Sequence, residues 1–215
     1  MRARPRTDRR RSRRERGAIL VEFAIIIPVL MGLICATVDL GFGWRASITV
    51  ANAARAGARV GSSQGIADGA DYAILTAVAT SLGSVPVSEI DAIVVFESAS
   101  VTGGLPSTCP LTATNRTNRG VAGVCNIYQQ TDVVNVLANP TTAQATYFSG
   151  SCTGTRIDRK WCPSTRNNVQ IGGSGVDHVG VYVKINHATS TKLFGSTIGI
   201  DDSAVMLIEP GAGNP

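Results

Sequence analysis

Two carboxylates lie at the ends of the most apolar stretch of this sequence. Glu22 and Asp39 flank residues 23–38, which carry no charge. An ionisable side chain inside or beside hydrocarbon is costly and usually has a partner. The chemistry that we expect from these two acids is therefore charge pairing or hydrogen bonding, and the segment that carries them is the first element to place.

A catalytic set can be drawn from the C-terminal third of the chain, but its spacing is not diagnostic. The set consists of Asp177, His178, His187, Asp201 and Asp202. The glycine run at 172–175 lacks the G-x-S-x-G pattern of a nucleophilic serine, and no glycine run ends in the Gly-Lys-Ser/Thr of a phosphate-binding loop. We therefore expect no enzymatic activity and no cofactor.

The five cysteines divide by their surroundings. Cys35 lies in the apolar stretch, where we expect an unpaired small apolar side chain. The others lie in a polar segment: Cys109, Cys125, Cys152 and Cys162. Four cysteines allow three pairings, and we favour pairing of nearest neighbours because each pair closes a local loop. A zinc site is not expected, because the chain has no C-x-x-C pair and only two histidines.

The apolar stretch predicts one membrane-spanning helix. As a helix, residues 23–38 span roughly 24 Å, which is less than the ~30 Å hydrocarbon core, whereas residues 18–43 are long enough. Nine arginines precede this segment and only three closely follow it. The positive-inside bias places the N-terminus in the cytoplasm, with Trp44 in the outer aromatic belt and the remaining chain outside.

The basic character of the chain belongs to its N-terminus. Residues 1–17 carry a net charge of +7, and residues 18–215 carry −2. Such a tail can bind RNA or anionic lipid, but its position directly before an apolar helix favours a role in topology. Beyond the tail no basic surface for DNA or RNA is expected, so we predict no nucleic-acid partner.

Three kinds of N-terminal processing can be compared. The nearest secretory cleavage site, Ala51-Asn52-Ala53, lies far beyond the apolar stretch, and a lipoprotein signal fails because Ile34 precedes the cysteine. Cleavage between Gly17 and Ala18 would make Glu22 the fifth residue of the mature chain. This spacing is typical of type IV prepilins.

Residues 17–28, GAILVEFAIIIP, resemble the start of TadE-like proteins, the minor pilin or pseudopilin group of tight-adherence (Tad/Flp) pilus systems. The resemblance continues through residues 53–59, AARAGAR, and reappears at Glu209-Pro210. Ala18 stands where type IV pilins favour Phe, and Phe23 stands where major Flp pilins have Tyr. Both departures fit TadE-like proteins better than major pilins.

The resemblance implies a function and partners. A prepilin peptidase would cleave after Gly17, and Glu22 would pair with the new α-amine of an adjacent subunit, which sets the axial register. The protein would be a minor pilin or pseudopilin that contributes to an adhesive Tad-type (type IVc) pilus. It would contact other pilus subunits and inner-membrane platform proteins, from the cytoplasmic membrane or within the extracellular pilus.

A second hypothesis assigns the same sequence to a different class of protein. In it the N-terminus is never processed, the anchor is permanent, and residues 98–175 form an extracytoplasmic binding or adhesion module for a surface ligand. Cleavage after Gly17 and the role of Glu22 separate the two hypotheses.

The organisation that we predict is a basic leader (1–17), a transmembrane helix (18–43) and an outside domain (44–215). Residues 45–62 continue the helix with two different sides. One side holds Arg45, Asn52, Arg55 and Arg59; the opposite side is a seam of small residues, Val50, Ala54, Gly57 and Gly61, which permits close approach either of the sheet in the same chain or of a neighbouring helix.

Hydrophobic periodicity places the other elements. It predicts a helix at 68–82 and strands at 90–97, 179–185, 198–200 and 204–208. The polar segment 98–175 is predicted to be a disulfide-pinned insertion with a short helix around 130–137. The fold class is α+β: a long N-terminal helix packed on a small antiparallel sheet, similar to pilins.

Overall fold

The computed structural model describes residues 8–169, 175–192 and 195–211, with side chains from residue 20 onward. The first three arginines of the leader, most of the glycine run at 172–175 and the last four residues lie outside the described residues.

The N-terminal helix α1 (Asp8–Gln64) is 57 residues long. The predicted continuation of the apolar helix into residues 45–62 is therefore confirmed. Pro28 lies inside the helix and removes one backbone hydrogen bond there. The helix ends where Gly65, with φ of 53°, adopts a left-handed conformation that glycine tolerates at no steric cost. Among the described residues, α1 alone is long and apolar enough to cross a membrane.

A second helix, α2 (Ala70–Leu82), is capped by Gly69 and Gly83 and packs on the second half of α1. Its buried side carries the four apolar residues that define the predicted stripe: Ile74, Leu75, Val78 and Leu82. The prediction of a helix at 68–82 is confirmed, with the start two residues later.

Five antiparallel strands form one sheet in the order β2-β3-β1-β4-β5. The strands are β1 (Ile90–Ser98), β2 (Gly120–Val121), β3 (Cys125–Gln129), β4 (His178–Ala188) and β5 (Thr197–Leu207). The predictions of β1 and β4 are confirmed. The prediction of two strands at 198–200 and 204–208 is wrong, because β5 is one strand that pairs with β4 along its whole length.

The segment 98–175 contributes more to the fold than a disulfide-pinned insertion would. It supplies β2 and β3 to the sheet, and β3 pairs with β1 in the middle of the domain. It also supplies three helices, α3 (Ala113–Thr117), α4 (Gln130–Ala138) and α5 (Pro140–Tyr147). The helix predicted at 130–137 is confirmed as α4.

The two faces of the sheet are covered differently. One face packs against α1, α2 and α4 and forms the main core. The other face holds a smaller cluster around Val94, Phe96 and Ile127, together with Cys109 and Cys125. The α+β architecture with a long N-terminal helix on an antiparallel sheet is therefore confirmed.

Candidate functional site

The first half of α1 is an exposed apolar rod. Every large apolar side chain from Leu20 to Trp44 that the structure describes is more than two-fifths exposed, and Trp44 is 73% exposed. In water such a continuous surface would be strongly unfavourable. The rod is therefore a surface for lipid or for other helices.

Glu22 lies on this rod and is exposed. Among the residues that the structure describes, no basic side chain forms an ion pair with it. Gly17 and Ala18 lie within α1, about one helical turn before Glu22. A carboxylate on an apolar rod that has no ion-pair partner among the described side chains suits pairing with a group from another chain.

Asp39 lies at the other end of the rod and has internal partners. Its carboxylate accepts hydrogen bonds from the backbone N–H groups of Ser190, at 3.1 Å, and Thr191, at 3.2 Å, and from the Thr191 hydroxyl. These donors belong to the turn between β4 and β5. Only 3% of Asp39 is exposed, so the expected partner of this acid is the domain itself.

The second half of α1 holds the domain through its seam of small residues. Val50, Ala54, Gly57 and Gly61 are buried against α2 and β4. A Cβ atom placed on Gly57 would lie 2.6 Å from the Val78 side chain. The seam therefore works within the chain, whereas the predicted polar side is exposed: Arg45, Asn52, Arg55 and Arg59.

The outer cysteines form the two nearest-neighbour disulfides that the sequence favoured. Cys109 bonds to Cys125, with Cα atoms 6.4 Å apart, and Cys152 bonds to Cys162, with Cα atoms 6.0 Å apart. The first joins the loop after β1 to the start of β3, and the second closes the segment after α5. Cys35 on the rod is free.

Sequence reasoning missed a buried polar cluster behind the sheet. The side chains of Asp71 and Arg166 form a salt bridge, and both are fully buried. Tyr128 donates a hydrogen bond of 2.5 Å to Asp71, and Asn126 donates another of 2.9 Å. The Arg166 guanidinium also lies 4.2 Å from the centre of the Trp161 ring. No sequence spacing could have indicated this cluster, because its members are up to 95 residues apart.

Burial raises the pKa values of two side chains in this region. The pKa of Tyr128 is raised well above its usual value, mainly by desolvation and then by the nearby Asp71 charge. The pKa of Asp158 is also raised by desolvation, although its salt bridge with Arg156 opposes the shift. These groups tie α2, β3 and the segment before β4 together, and their role is structural.

The residues of the hypothetical catalytic set are not brought together. His178 and His187 lie near opposite ends of β4, nine residues or about 30 Å apart. His187 contacts Glu89 at 2.9 Å, Asp177 accepts a hydrogen bond from the Asn167 backbone, and Asp201 lies opposite Lys184 in the sheet.

The sequence model of the TadE-like protein family matches residues 17–59. The matched segment covers the exposed rod and most of the packed half of α1, so the resemblance predicted from the sequence is confirmed there. Neither the curated proteins nor the solved structures give a match. The fold and this segment together define an α+β protein with one N-terminal helix suited to a single-pass membrane anchor. Its TadE-like segment associates it with Tad pilus systems.

Proposed function

We propose that the protein is a minor pilin or pseudopilin of a Tad-type adhesive pilus. It is inserted with its N-terminus in the cytoplasm, cleaved after Gly17 by a prepilin peptidase, and held in the cytoplasmic membrane by residues 18–43 before it joins other pilus subunits and platform proteins. It contributes to pilus assembly by packing its N-terminal helix against other helices, and it catalyses no reaction.

One observation carries this proposal. The exposed apolar rod at residues 20–44 lies within the TadE-like match at residues 17–59, and the folded domain begins where the rod ends. A helix that is lipid-exposed over one half and fastened to its own domain over the other suits a subunit that first sits in a bilayer and then packs beside similar helices.

The position of Glu22 supports its role in register. It is the only charged residue between Ala18 and Val38, and a lone carboxylate within an apolar assembly is costly until it meets a cation. After cleavage, the α-amine at Ala18 of a neighbouring subunit supplies that cation. The same pair then fixes how far one helix slides along the next.

The first experiment is to sequence the N-terminus of the protein isolated from membranes of cells with and without the prepilin peptidase. We expect a start at Ala18 only when the peptidase is present, and an intact leader for Gly17→Ala. An intact leader in both cells would contradict the proposal and favour the permanently anchored binding module.

The second experiment tests Glu22 separately from cleavage. Glu22→Gln removes the charge but keeps the size, and we expect cleavage to continue while surface pili fall about tenfold, the factor for a loss of about 1.4 kcal/mol per contact. Thr37→Val on the same rod, which removes a hydroxyl bonded only to the Leu33 carbonyl, is the matched control. Equal piliation in both variants would remove Glu22 from the mechanism.

A further inference from the structure

An apolar groove lies beside α1 where the rod meets the domain. It has a volume of about 460 Å³, and almost all of its lining is apolar. The lining residues are Asp39, Leu40, Gly43, Trp44, Ser47, Ile198 and Ile200. The groove thus lies between one side of α1 and the start of β5.

The length of the rod determines the height of this groove in a bilayer. Residues 18–38, from the proposed cleavage site to the residue before Asp39, form about 32 Å of helix, close to the ~30 Å hydrocarbon core, so Asp39 falls at its outer edge. Trp44 follows within about 8 Å along the helix, which places it in the headgroup layer. Tryptophan is enriched at that depth because its ring is both apolar and polar.

The hydrogen bonds of Asp39 hold the groove at that height along the helix. The carboxylate holds the backbone of Ser190 and Thr191 in the β4–β5 turn, and β5 begins a few residues later at Thr197. The wall of the groove formed by Ile198 and Ile200 is therefore fastened to the helix at the membrane boundary.

Two exposed cations lie close in sequence to the residues that form and fasten the groove. Lys192 lies in the same turn and Arg45 follows Trp44 on α1, and both are exposed. Cations at the headgroup layer attract lipid phosphates, while the apolar groove accepts the glycerol and the first acyl carbons of a phospholipid.

We propose that this groove is a lipid-binding surface that seats the domain on the outer leaflet, and that Asp39 is the positioning residue that holds it there. The proposal rests on the membrane anchoring in the proposed function. It adds that the domain lies against the bilayer at the β4–β5 end, with Trp44 and Ile198 in the interface, before any other subunit is met.

The test uses the full chain in nanodiscs of phosphatidylethanolamine and phosphatidylglycerol, labelled with an environment-sensitive fluorophore at one thiol at a time. Native Cys35 reports on the rod, Ile198→Cys on the groove and Leu207→Cys on the far end of the same strand, the last two in a Cys35→Ser background. Leu207 lies about 30 Å along β5 from Ile198. Lipids with a spin label near the headgroup or deep in the acyl chain serve as quenchers.

We expect the deep quencher to act on Cys35, the shallow quencher to act on Ile198→Cys, and neither to act on Leu207→Cys. Asp39→Ala should abolish quenching at Ile198→Cys and leave Cys35 unchanged, whereas Thr37→Val should alter neither. If Asp39→Ala does not fold by circular dichroism, Thr191→Val replaces it, because that change removes the hydroxyl donor to Asp39 and keeps both backbone N–H donors.

The outcomes separate this inference from the function on which it rests. Without quenching at Cys35 the anchor itself is refuted, and the groove proposal falls with it. Quenching at Cys35 with a water-exposed Ile198→Cys overturns the groove proposal alone. Self-quenching at Ile198→Cys that grows with the number of proteins per disc would assign the groove to a second copy of the chain, and it also overturns the proposal.

Discussion

The two halves of α1 are one continuous helix in two different environments. From Leu20 to Trp44 its large apolar side chains are exposed, whereas its buried side from Ala46 to Gly61 consists mainly of small residues. The buried side of the packed half is apolar, as the exposed half is, so the hydrophobicity of these two surfaces alone does not distinguish them. Residue size does, because a helix that packs closely on α2 and the sheet needs small side chains at the contact, and a helix surrounded by lipid does not.

The two carboxylates that flank the apolar residues 23–38 differ in whether their own chain supplies a partner. Asp39 receives three hydrogen bonds from the β4–β5 turn of its own chain, whereas Glu22 has no ion-pair partner in the part of the chain that the structure describes. Asp39, at the end of the rod next to the domain, is satisfied by folding. Glu22, near the other end, would be satisfied in assembly by the proposed pairing with a neighbouring α-amine.

Breaking the buried cluster beneath the packed half should have the largest effect. Arg166→Met leaves the fully buried Asp71 without its cation, and loss of one member of such a pair costs about 3–5 kcal/mol. We expect that loss in the free energy of unfolding, measured by urea titration with tryptophan fluorescence in detergent. The helicity of the exposed half should not change.

The double variant Asp71→Leu/Arg166→Met is the control for this cluster. It removes both charges, so most of the lost stability should return, since replacing a buried ion pair by apolar side chains is often neutral. Tyr128 then loses its acceptor and Asn126 loses one of its two acceptors, which keeps the recovery incomplete. A double variant as unstable as Arg166→Met would show that packing, and not the unpaired charge, determines the loss.

Removing a disulfide should have the second-largest effect on the free energy of unfolding. The Cys109–Cys125 and Cys152–Cys162 bonds close loops with sequence separations of 16 and 10, so chain entropy predicts about 3 kcal/mol for each. The measurement is the urea midpoint of the paired Ser variants. Cys35→Ser, which removes the free thiol of the exposed half, is the control and should leave the midpoint unchanged.

The glycines of α1 give the most direct test of the comparison between its halves. Gly57→Ala places a methyl group 2.6 Å from Val78 and 3.1 Å from Val181, and such overpacking costs about 1–3 kcal/mol. Gly32→Ala has no heavy atom within 4 Å and should be neutral or slightly stabilising because alanine favours helix. Equal unfolding free energies for the two variants would contradict the assignment of the halves.

The elements with strong hydrophobic periodicity could be predicted from the sequence. Helix α2 and strand β4 show a clear period because one side of each meets the main core. Strand β1 is instead a continuous apolar run because both of its faces are buried, and the first half of α1 is an apolar run that is exposed. The sequence divides β5 in two because Asp201, Asp202 and Ser203 interrupt it. An edge strand tolerates such residues, and pairing with β4 continues past them.

Contacts between distant segments could not be predicted. The five residues of β3 lie in a polar segment, and pairing with β1 and the Cys109 disulfide define it as a strand. The sequence indicated that Asp39 needs a partner, but its donors lie 151 and 152 residues away. Such pairs depend on topology, which local propensity does not encode.

Glu97 extends the comparison of carboxylates to the end of the sheet farthest from the membrane helix, where an acid faces another acid. Partial desolvation, and then the charge of Asp177, raise the pKa of Glu97 in the folded protein. Between the unfolded pKa, about 4.3, and this raised value, the folded state binds more protons than the unfolded state. The free energy of unfolding therefore falls as the pH rises through that window and stays lower above it.

Glu97→Gln removes this dependence and should give the smallest effect. We expect the variant to match the wild type near pH 3 and to be more stable at pH 7, by less than about 0.5 kcal/mol because the side chain is exposed. Thermal unfolding at both pH values measures the difference, and Glu209→Gln, another exposed acid, controls for the loss of one negative charge. A variant less stable than the wild type at pH 7 would mean that Glu97 has a favourable partner there, as Asp39 has, and the contrast between satisfied and unsatisfied carboxylates would then be confined to α1.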